Sequence, residues 1–237
     1  LEYVANNLSR EQLARFPHLA GSKALGIPED RLDSIPSYLK NALAVSVMGE
    51  DGVVSDATGL QIPGVLDDLF AYDGPLGVVW NDGVPSIFLW APTAQAVSLQ
   101  LYGNSGVPEP AVVVEMAEHD GVWSATGEPD WEWKYYTYEV TVFVPATGRI
   151  EKNVVTDPYS RSLSRNGART QIVDLTNPQL KPSGWDDLVK APLEAPEDIV
   201  VYELHVRDFS ASDVTCPPSE RRAGRSGKAD GGCRTHD

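Results

Sequence analysis

The sequence predicts a mainly β protein, with an antiparallel β-sandwich that follows a mixed α+β N-terminal domain. From Leu76 to about Leu175, short apolar runs recur about every ten residues, and Gly, Pro, Asn and Asp separate them. Several runs alternate apolar and polar residues, as a strand does when one of its faces is buried. Short alternating strands at regular spacing are typical of a sandwich.

Six apolar runs give the predicted strands of the sandwich, at residues 77–80, 86–90, 96–102, 111–116, 121–125 and 135–143. In the third run Val97, Leu99 and Leu101 occupy every second position, so they share one face of the strand. A single sandwich needs about 100 residues. We therefore expect the sandwich domain to span residues 77–178.

The N-terminal domain is predicted at residues 1–76 and has weaker patterning. Ser9 and Gln12 have the spacing of a capping box at a helix start, and Pro17, Pro28 and Pro36 restrict this part to short elements. Residues 43–48, the turn 49–52 and residues 53–54 predict a β-hairpin. Residues 56–76 are rich in Gly, Pro and Asp and are expected to form a connecting loop.

Residues 179–215 are predicted to be a linker followed by one strand. Four prolines lie between residues 176 and 198, and an apolar run that belongs to a new domain begins at Ile199. Residues 216–237 contain no Val, Ile, Leu, Met, Phe, Trp or Tyr, so we expect a disordered tail of divergent composition. A shifted reading frame, a mis-spliced exon and a native flexible tail all remain open as its origin.

The formal net charge of −15 argues against a nucleic-acid partner and against an anionic membrane surface, because both attract basic proteins. A neutral polysaccharide carries no such penalty. No apolar stretch approaches 18 residues, so no transmembrane helix is expected. The chain starts at Leu1 without a secretory signal pattern, which leaves a processed chain and a fragment as alternatives.

The residue types that bind metals or act as nucleophiles are sparse. Both cysteines, Cys216 and Cys233, lie in the divergent tail, which excludes a disulfide framework for residues 1–215. The four histidines lack zinc-type spacing, and Gly-x-Ser-x-Gly and phosphate-loop motifs are absent. We expect no metal site and no cofactor.

Four segments resemble one enzyme family. Trp-Ala-Pro-Thr-Ala at residues 90–94 resembles the start of the immunoglobulin-like carbohydrate-binding module of family 48, and residues 157–160 and 172–175 resemble its end. Residues 202–210 resemble the first strand of the TIM-type barrel in pullulanases, which belong to glycoside hydrolase family 13. Residues 1–76 look like the N-terminal domain of the plant form, limit dextrinase.

The resemblance implies a starch debranching enzyme that hydrolyses α-1,6 linkages in pullulan and limit dextrins, in a plastid. Such hydrolysis with retention needs two carboxylates about 5–5.5 Å apart, which this family carries on later barrel strands. The barrel is expected to be represented by its first strand alone, so we assign no catalytic residue and expect the chain to be inactive by itself. An α-glucan-binding module and a non-functional truncated product are the alternatives.

Aromatic side chains that stack on sugar rings are the candidates for contact with α-glucans such as starch, limit dextrin and pullulan. Trp123, Trp131 and Trp133 cluster in the sequence, and Trp131 and Trp133 share one side if the turn is extended. We therefore predict carbohydrate binding at these three residues, with packing in the core or between domains as the alternative. The family usually has glycine where Trp133 stands.

Overall fold

The computed structural model describes residues 1–5, 8–190 and 192–204. The chain divides into one compact unit over residues 1–181 and a second over residues 182–237. The first unit consists of an N-terminal region, residues 1–70, and a β-sandwich, residues 75–176. In the described part of the second unit, the regular element is a single 3-10 turn at Pro196–Asp198.

The N-terminal region is built from short helices and two small antiparallel sheets. Strand β1 pairs with β2, and β3 pairs with β4. The elements in chain order are β1 Glu2–Ala5, α1 Arg10–Arg15, β2 Ala24–Gly26, α2 Ile35–Tyr38, β3 Ala44–Met48, β4 Val54–Gly59 and α3 Pro63–Leu69. The β3–β4 pair is the predicted hairpin.

The capping box predicted at Ser9 is present at the start of α1. The Ser9 hydroxyl accepts a hydrogen bond from the Gln12 amide at 3.2 Å, and the Ser9 amide donates to Gln12 Oε1 at 3.0 Å. The expectation of a loop over residues 56–76 is wrong in part, because β4 extends to Gly59 and α3 follows. Pro63 occupies the first turn of α3, where its missing N–H leaves no helical hydrogen bond unmade.

The sandwich consists of two antiparallel sheets. One has the strand order β5-β6-β10-β9, and the other has the order β12-β11-β7-β8, with β13 paired to β11. The strands are β5 Gly77–Asn81, β6 Val84–Trp90, β7 Ala94–Tyr102, β8 Val112–Glu115, β9 Ala117–His119, β10 Val122–Thr126, β11 Tyr135–Val144, β12 Arg149–Val155 and β13 Thr170–Gln171. The predicted mainly β fold with an antiparallel sandwich is confirmed.

The core lies between the two sheets of the sandwich. Ile87 of β6, Leu99 of β7 and Tyr136 of β11 are completely buried, as is Ile172 just after β13. Their positions follow the alternation of the strands, because every second side chain of β6 points inward. Burial of these side chains is the main stabilising contribution to the sandwich.

The N-terminal region is attached to the sandwich along a seam that Lys40, Phe70 and Trp90 define. Leu39 and Phe70 are buried. The Trp90 indole N–H donates to the Phe70 carbonyl at 2.8 Å, and Gln95 Nε2 donates to the Lys40 carbonyl at 3.0 Å. The ring of Phe70 packs so closely on Gly121 that a Cβ there would lie 2.8 Å from it. The region is therefore docked by specific contacts.

The predicted barrel strand falls partly outside the described residues. Residues 199–204 are described and take part in no strand, and Val200 is 91% exposed. Residues 205–210 and the divergent tail at 216–237, with both cysteines, are not described. The barrel strand and the tail therefore remain predictions from the sequence. Within the described ranges, no helix has the length and apolar character needed to cross a membrane.

Candidate functional site

Trp123 and Trp131 lie in the core of the sandwich. Trp123 is 6% exposed and its indole N–H donates to the Ala91 carbonyl at 3.0 Å. Trp131 is 7% exposed and covers Gly127, where a Cβ would lie 2.4 Å from its ring. The burial of Trp131 agrees with the alternative of packing in the core, because the missing side chain of Gly127 opens a slot for the indole.

Trp133 occupies a turn just before β11 and is partly exposed. Its φ of 70° lies in the left-handed region, which glycine adopts freely and a bulky side chain does not. The Trp133 amide donates to the Ile172 carbonyl at 2.8 Å, and its carbonyl accepts from Gln171 Nε2 at 3.1 Å. These contacts hold the turn, and the positive φ is the physical reason why glycine would suit this position. Sugar contact at the three tryptophans stays a prediction.

Asp157 is the centre of a buried polar network behind β11. Its side chain is 4% exposed, and one carboxylate oxygen accepts hydrogen bonds from both Tyr136 and Tyr138, the latter at 2.9 Å. The other oxygen accepts from the Tyr159 amide at 2.7 Å, and the Asp157 amide donates to the Thr170 hydroxyl at 3.2 Å. The carboxylate is thus held by three donors, as a buried charge requires.

The two tyrosines that donate to Asp157 have raised pKa values. Burial, followed by the negative charge of Asp157, raises the pKa of Tyr136 well above its usual value. Burial also raises the pKa of Tyr138 well above its usual value, with Tyr136 and then Asp157 adding to the effect. Both hydroxyls therefore stay protonated at neutral pH and act as donors. The network links β11 to the segment 157–170.

A cleft of about 320 Å³ opens beside this network, between the edge strand β5 and the segments 159–162 and 170–176. The volume lies at the lower end of the range for small-molecule sites, roughly 300–1,000 Å³. Trp80 of β5 and Tyr159 contribute aromatic surface to its walls, and Tyr136 also lines it. The cleft therefore combines aromatic faces with polar side chains from two loops.

The polar groups of the cleft differ in whether they have partners. Asp174 Oδ1 accepts from the Thr176 amide at 2.9 Å and from the Thr176 hydroxyl at 2.7 Å. The Ser160 hydroxyl donates to the Asp157 carbonyl at 2.6 Å. Among the described residues, the buried indole N–H of Trp80 has no acceptor. A buried donor without a partner is uncommon and costs about 1–3 kcal/mol.

The cleft offers binding groups but no catalytic pair. Asp174 is the only carboxylate among the described residues that line it, and retaining hydrolysis of a glycoside needs two carboxylates about 5–5.5 Å apart. In the described ranges, no three His, Cys, Asp or Glu side chains converge as metal ligands would. The arrangement suits the binding of a polar ligand.

The match to family models follows the two regions of the first unit. Residues 1–68 match the pullulanase N2 domain, and residues 75–160 match carbohydrate-binding module 48, also described as the isoamylase N-terminal domain. The fold and these matches define a β-sandwich of the carbohydrate-binding module 48 type, preceded by a domain of the pullulanase N2 type.

Known relatives extend the match over most of the chain. Chloroplastic pullulanase 1 of Arabidopsis thaliana is 44% identical over 93% of this chain and 23% of its own length. A pullulanase of Klebsiella pneumoniae is 32% identical over 93% of this chain and 21% of its own length. The chain therefore matches the N-terminal portion of pullulanases, and it spans about a quarter or less of the length of these relatives.

A solved structure gives the same result. The maltotriose complex of PulA from Klebsiella pneumoniae superposes with a TM-score of 0.79 at 34% identity, covering 93% of this chain and 24% of that one.

The sequence predicts the family and the motif at residues 157–160 but not the cleft, whose walls come from residues about 80 positions apart. The signal that could have found it is the aromatic Trp80 on a strand next to a loop rich in Ser and Arg.

Proposed function

We propose that this chain is the glucan-binding and supporting portion of a pullulanase-type starch debranching enzyme. The observation that carries the proposal is the match of carbohydrate-binding module 48 to residues 75–160, which fold as an antiparallel sandwich. The partner is an α-glucan such as starch, limit dextrin or pullulan. A similar solved structure, PulA from Klebsiella pneumoniae, is a complex with maltotriose, which supports that ligand class.

The enzyme to which this portion belongs hydrolyses α-1,6 branch linkages, by analogy with relatives that are named pullulanases. Residues 1–237 are inactive by themselves in this proposal, because the described residues line the cleft with a single carboxylate. Incubation with pullulan and an assay of new reducing ends tests this point. Turnover above that of buffer would contradict it.

The location is the plastid in this proposal. One relative, 44% identical over most of the chain, is named as chloroplastic. Fusion of the natural full-length protein to a fluorescent marker would test the location.

Co-sedimentation with starch granules tests glucan binding directly. The chain should pellet with granules and stay in solution with cellulose, whose β-linked chains present a different shape. A chain that remains soluble in both suspensions would count against the proposal. A non-functional product, the alternative, would instead be degraded throughout by a trace of protease.

The domain boundaries form part of the proposal. We place them at residues 76/77 and 178/179, with a linker and barrel strand over 179–215 and a divergent tail over 216–237. Limited proteolysis followed by mass spectrometry should release the tail first and then cut between residues 179 and 198. Early cleavage inside residues 77–173 would refute these boundaries.

A further inference from the structure

The cleft beside β5 has two charged side chains that the protein leaves available. Arg161 lines the cleft and has no hydrogen bond or ion pair among the described residues. Asp174 uses Oδ1 to hold Thr176, and its Oδ2 accepts from no donor in the same part of the chain. One group is a multiple donor and the other is an acceptor.

The charges of the cleft select a neutral ligand. Arg161 contributes one positive charge and Asp174 one negative charge, and these are the only ionised side chains that line it in the described part of the chain. A phosphate or a carboxylate ligand would be attracted by Arg161 but repelled by Asp174. A neutral compound with several hydroxyl groups can donate to the carboxylate and accept from the guanidinium without either penalty.

The walls of the cleft suit the apolar side of such a compound. Trp80 and Tyr159 supply aromatic surface to these walls. Sugars present C–H faces and hydroxyl edges together. The volume of about 320 Å³ fits a short segment of a chain and not a folded partner.

We propose that the cleft between β5 and the segments 159–162 and 170–176 is a subsite for a short segment of neutral α-glucan, with Arg161 and Asp174 on the sugar hydroxyls and Trp80 and Tyr159 on its ring faces. The α linkage rests on the function proposed above. The site is distinct from Trp123 and Trp131, which are buried in the core.

Titration of the full chain with maltotriose tests the subsite. Arg161→Gln and Asp174→Asn should each weaken binding about tenfold, the effect of removing one hydrogen bond to a charged group. Arg165→Gln is the matched control, because Arg165 lies nearby in the chain but does not line the cleft. Both test substitutions keep the shape of the side chain similar, and circular dichroism checks the fold.

Amide chemical-shift mapping of the same titration locates the ligand. Shifts at residues 160–162 and 174–176, with cellotriose giving none, would support the proposal. Maltotriose binding that Arg161→Gln and Asp174→Asn leave unchanged would overturn the subsite while glucan binding itself stands. Equal binding of cellotriose would overturn the α-glucan class. A chain that binds neither maltotriose nor starch would overturn the proposed function and the subsite together.

Discussion

The N-terminal region and the sandwich share one compact unit but bury their side chains to very different extents. In the described part of residues 1–70, Leu39 and Phe70 are the only buried hydrophobic side chains, and Phe70 packs on Gly121 of the sandwich. The sandwich buries a continuous core from β6 to Ile172. A region without its own core depends on the surface against which it docks, so the sandwich is expected to be the stable part and the N-terminal region the dependent one.

Truncating one leucine in each region gives the largest expected difference. Leu99 is completely buried in the sandwich, so Leu99→Ala should lower the free energy of unfolding by about 2–5 kcal/mol. Leu32 is exposed in the N-terminal region, so Leu32→Ala should change it by less than about 0.5 kcal/mol. Urea unfolding measures both. Equal losses would mean that the N-terminal region has a core of its own.

Alkaline pH should weaken the sandwich selectively. Because burial raises the pKa of Tyr136 and Tyr138, the folded state keeps protons that the unfolded state releases above about pH 10. The contribution of the two protonated tyrosines to the free energy of unfolding is intact below about pH 10. It is lost as the pH rises towards their pKa in the folded state, by about 1.4 kcal/mol per pH unit for each tyrosine.

The variant Tyr138→Phe should lose less stability per pH unit than the natural sequence, because one titrating tyrosine is gone. The free energy of urea unfolding at about pH 9, 10 and 11 measures this dependence. Tyr38→Phe is the control, since Tyr38 is exposed in the N-terminal region. The interpretation fails if both variants keep the slope of the natural sequence.

Backbone strain is also confined to the sandwich. In the described residues, the non-glycine residues with φ in the left-handed region are Asp82, Asp120, Trp133 and Asn166. Glycine normally makes a protein less stable than alanine does, but Trp133→Gly should be more stable than Trp133→Ala by about 1 kcal/mol, because only glycine relieves the strain. Thermal unfolding of the two variants measures this. Alanine at least as stable as glycine would contradict it.

A change at the seam should have a small effect on stability and a clear effect on local dynamics. Trp90→Phe removes the hydrogen bond to the Phe70 carbonyl and should cost about 1 kcal/mol. Trypsin should then cut residues 1–70 faster while the sandwich survives. Trp185→Phe, at an exposed indole, is the control. Unchanged cleavage in Trp90→Phe would show that the region holds its position without this bond.

The parts of the fold that could be predicted are those in which burial leaves a local pattern. β7 and β11 carry alternating apolar and polar residues, and the sequence locates both. β12 is missed because it is an edge strand with most side chains exposed on both faces, which erases the alternation. The short strands β9 and β13 span three and two residues, too few to show a period.

Of the candidate site, only the motif at residues 157–160 could be predicted from the sequence. Asp-Pro-Tyr-Ser at residues 157–160 is recognisable in the sequence, and the structure gives its chemical reason in the donors around Asp157. The burial of Trp131 depends on a slot above Gly127, and the cleft joins Trp80 to Arg161 and Asp174. Such contacts between distant positions follow from tertiary packing, and no local pattern of residue types carries them.

The buried residues at the C-terminal end of the sandwich decide where a recombinant form of the domain should end. Thr170, Ile172 and Val173 are buried, although the match to carbohydrate-binding module 48 ends at residue 160. A recombinant module cut at residue 160 would lose the Thr170 hydroxyl that meets Asp157 and would open the core where Ile172 stood. An expression boundary after Val173 preserves both, so the physical domain is longer than the sequence family that names it.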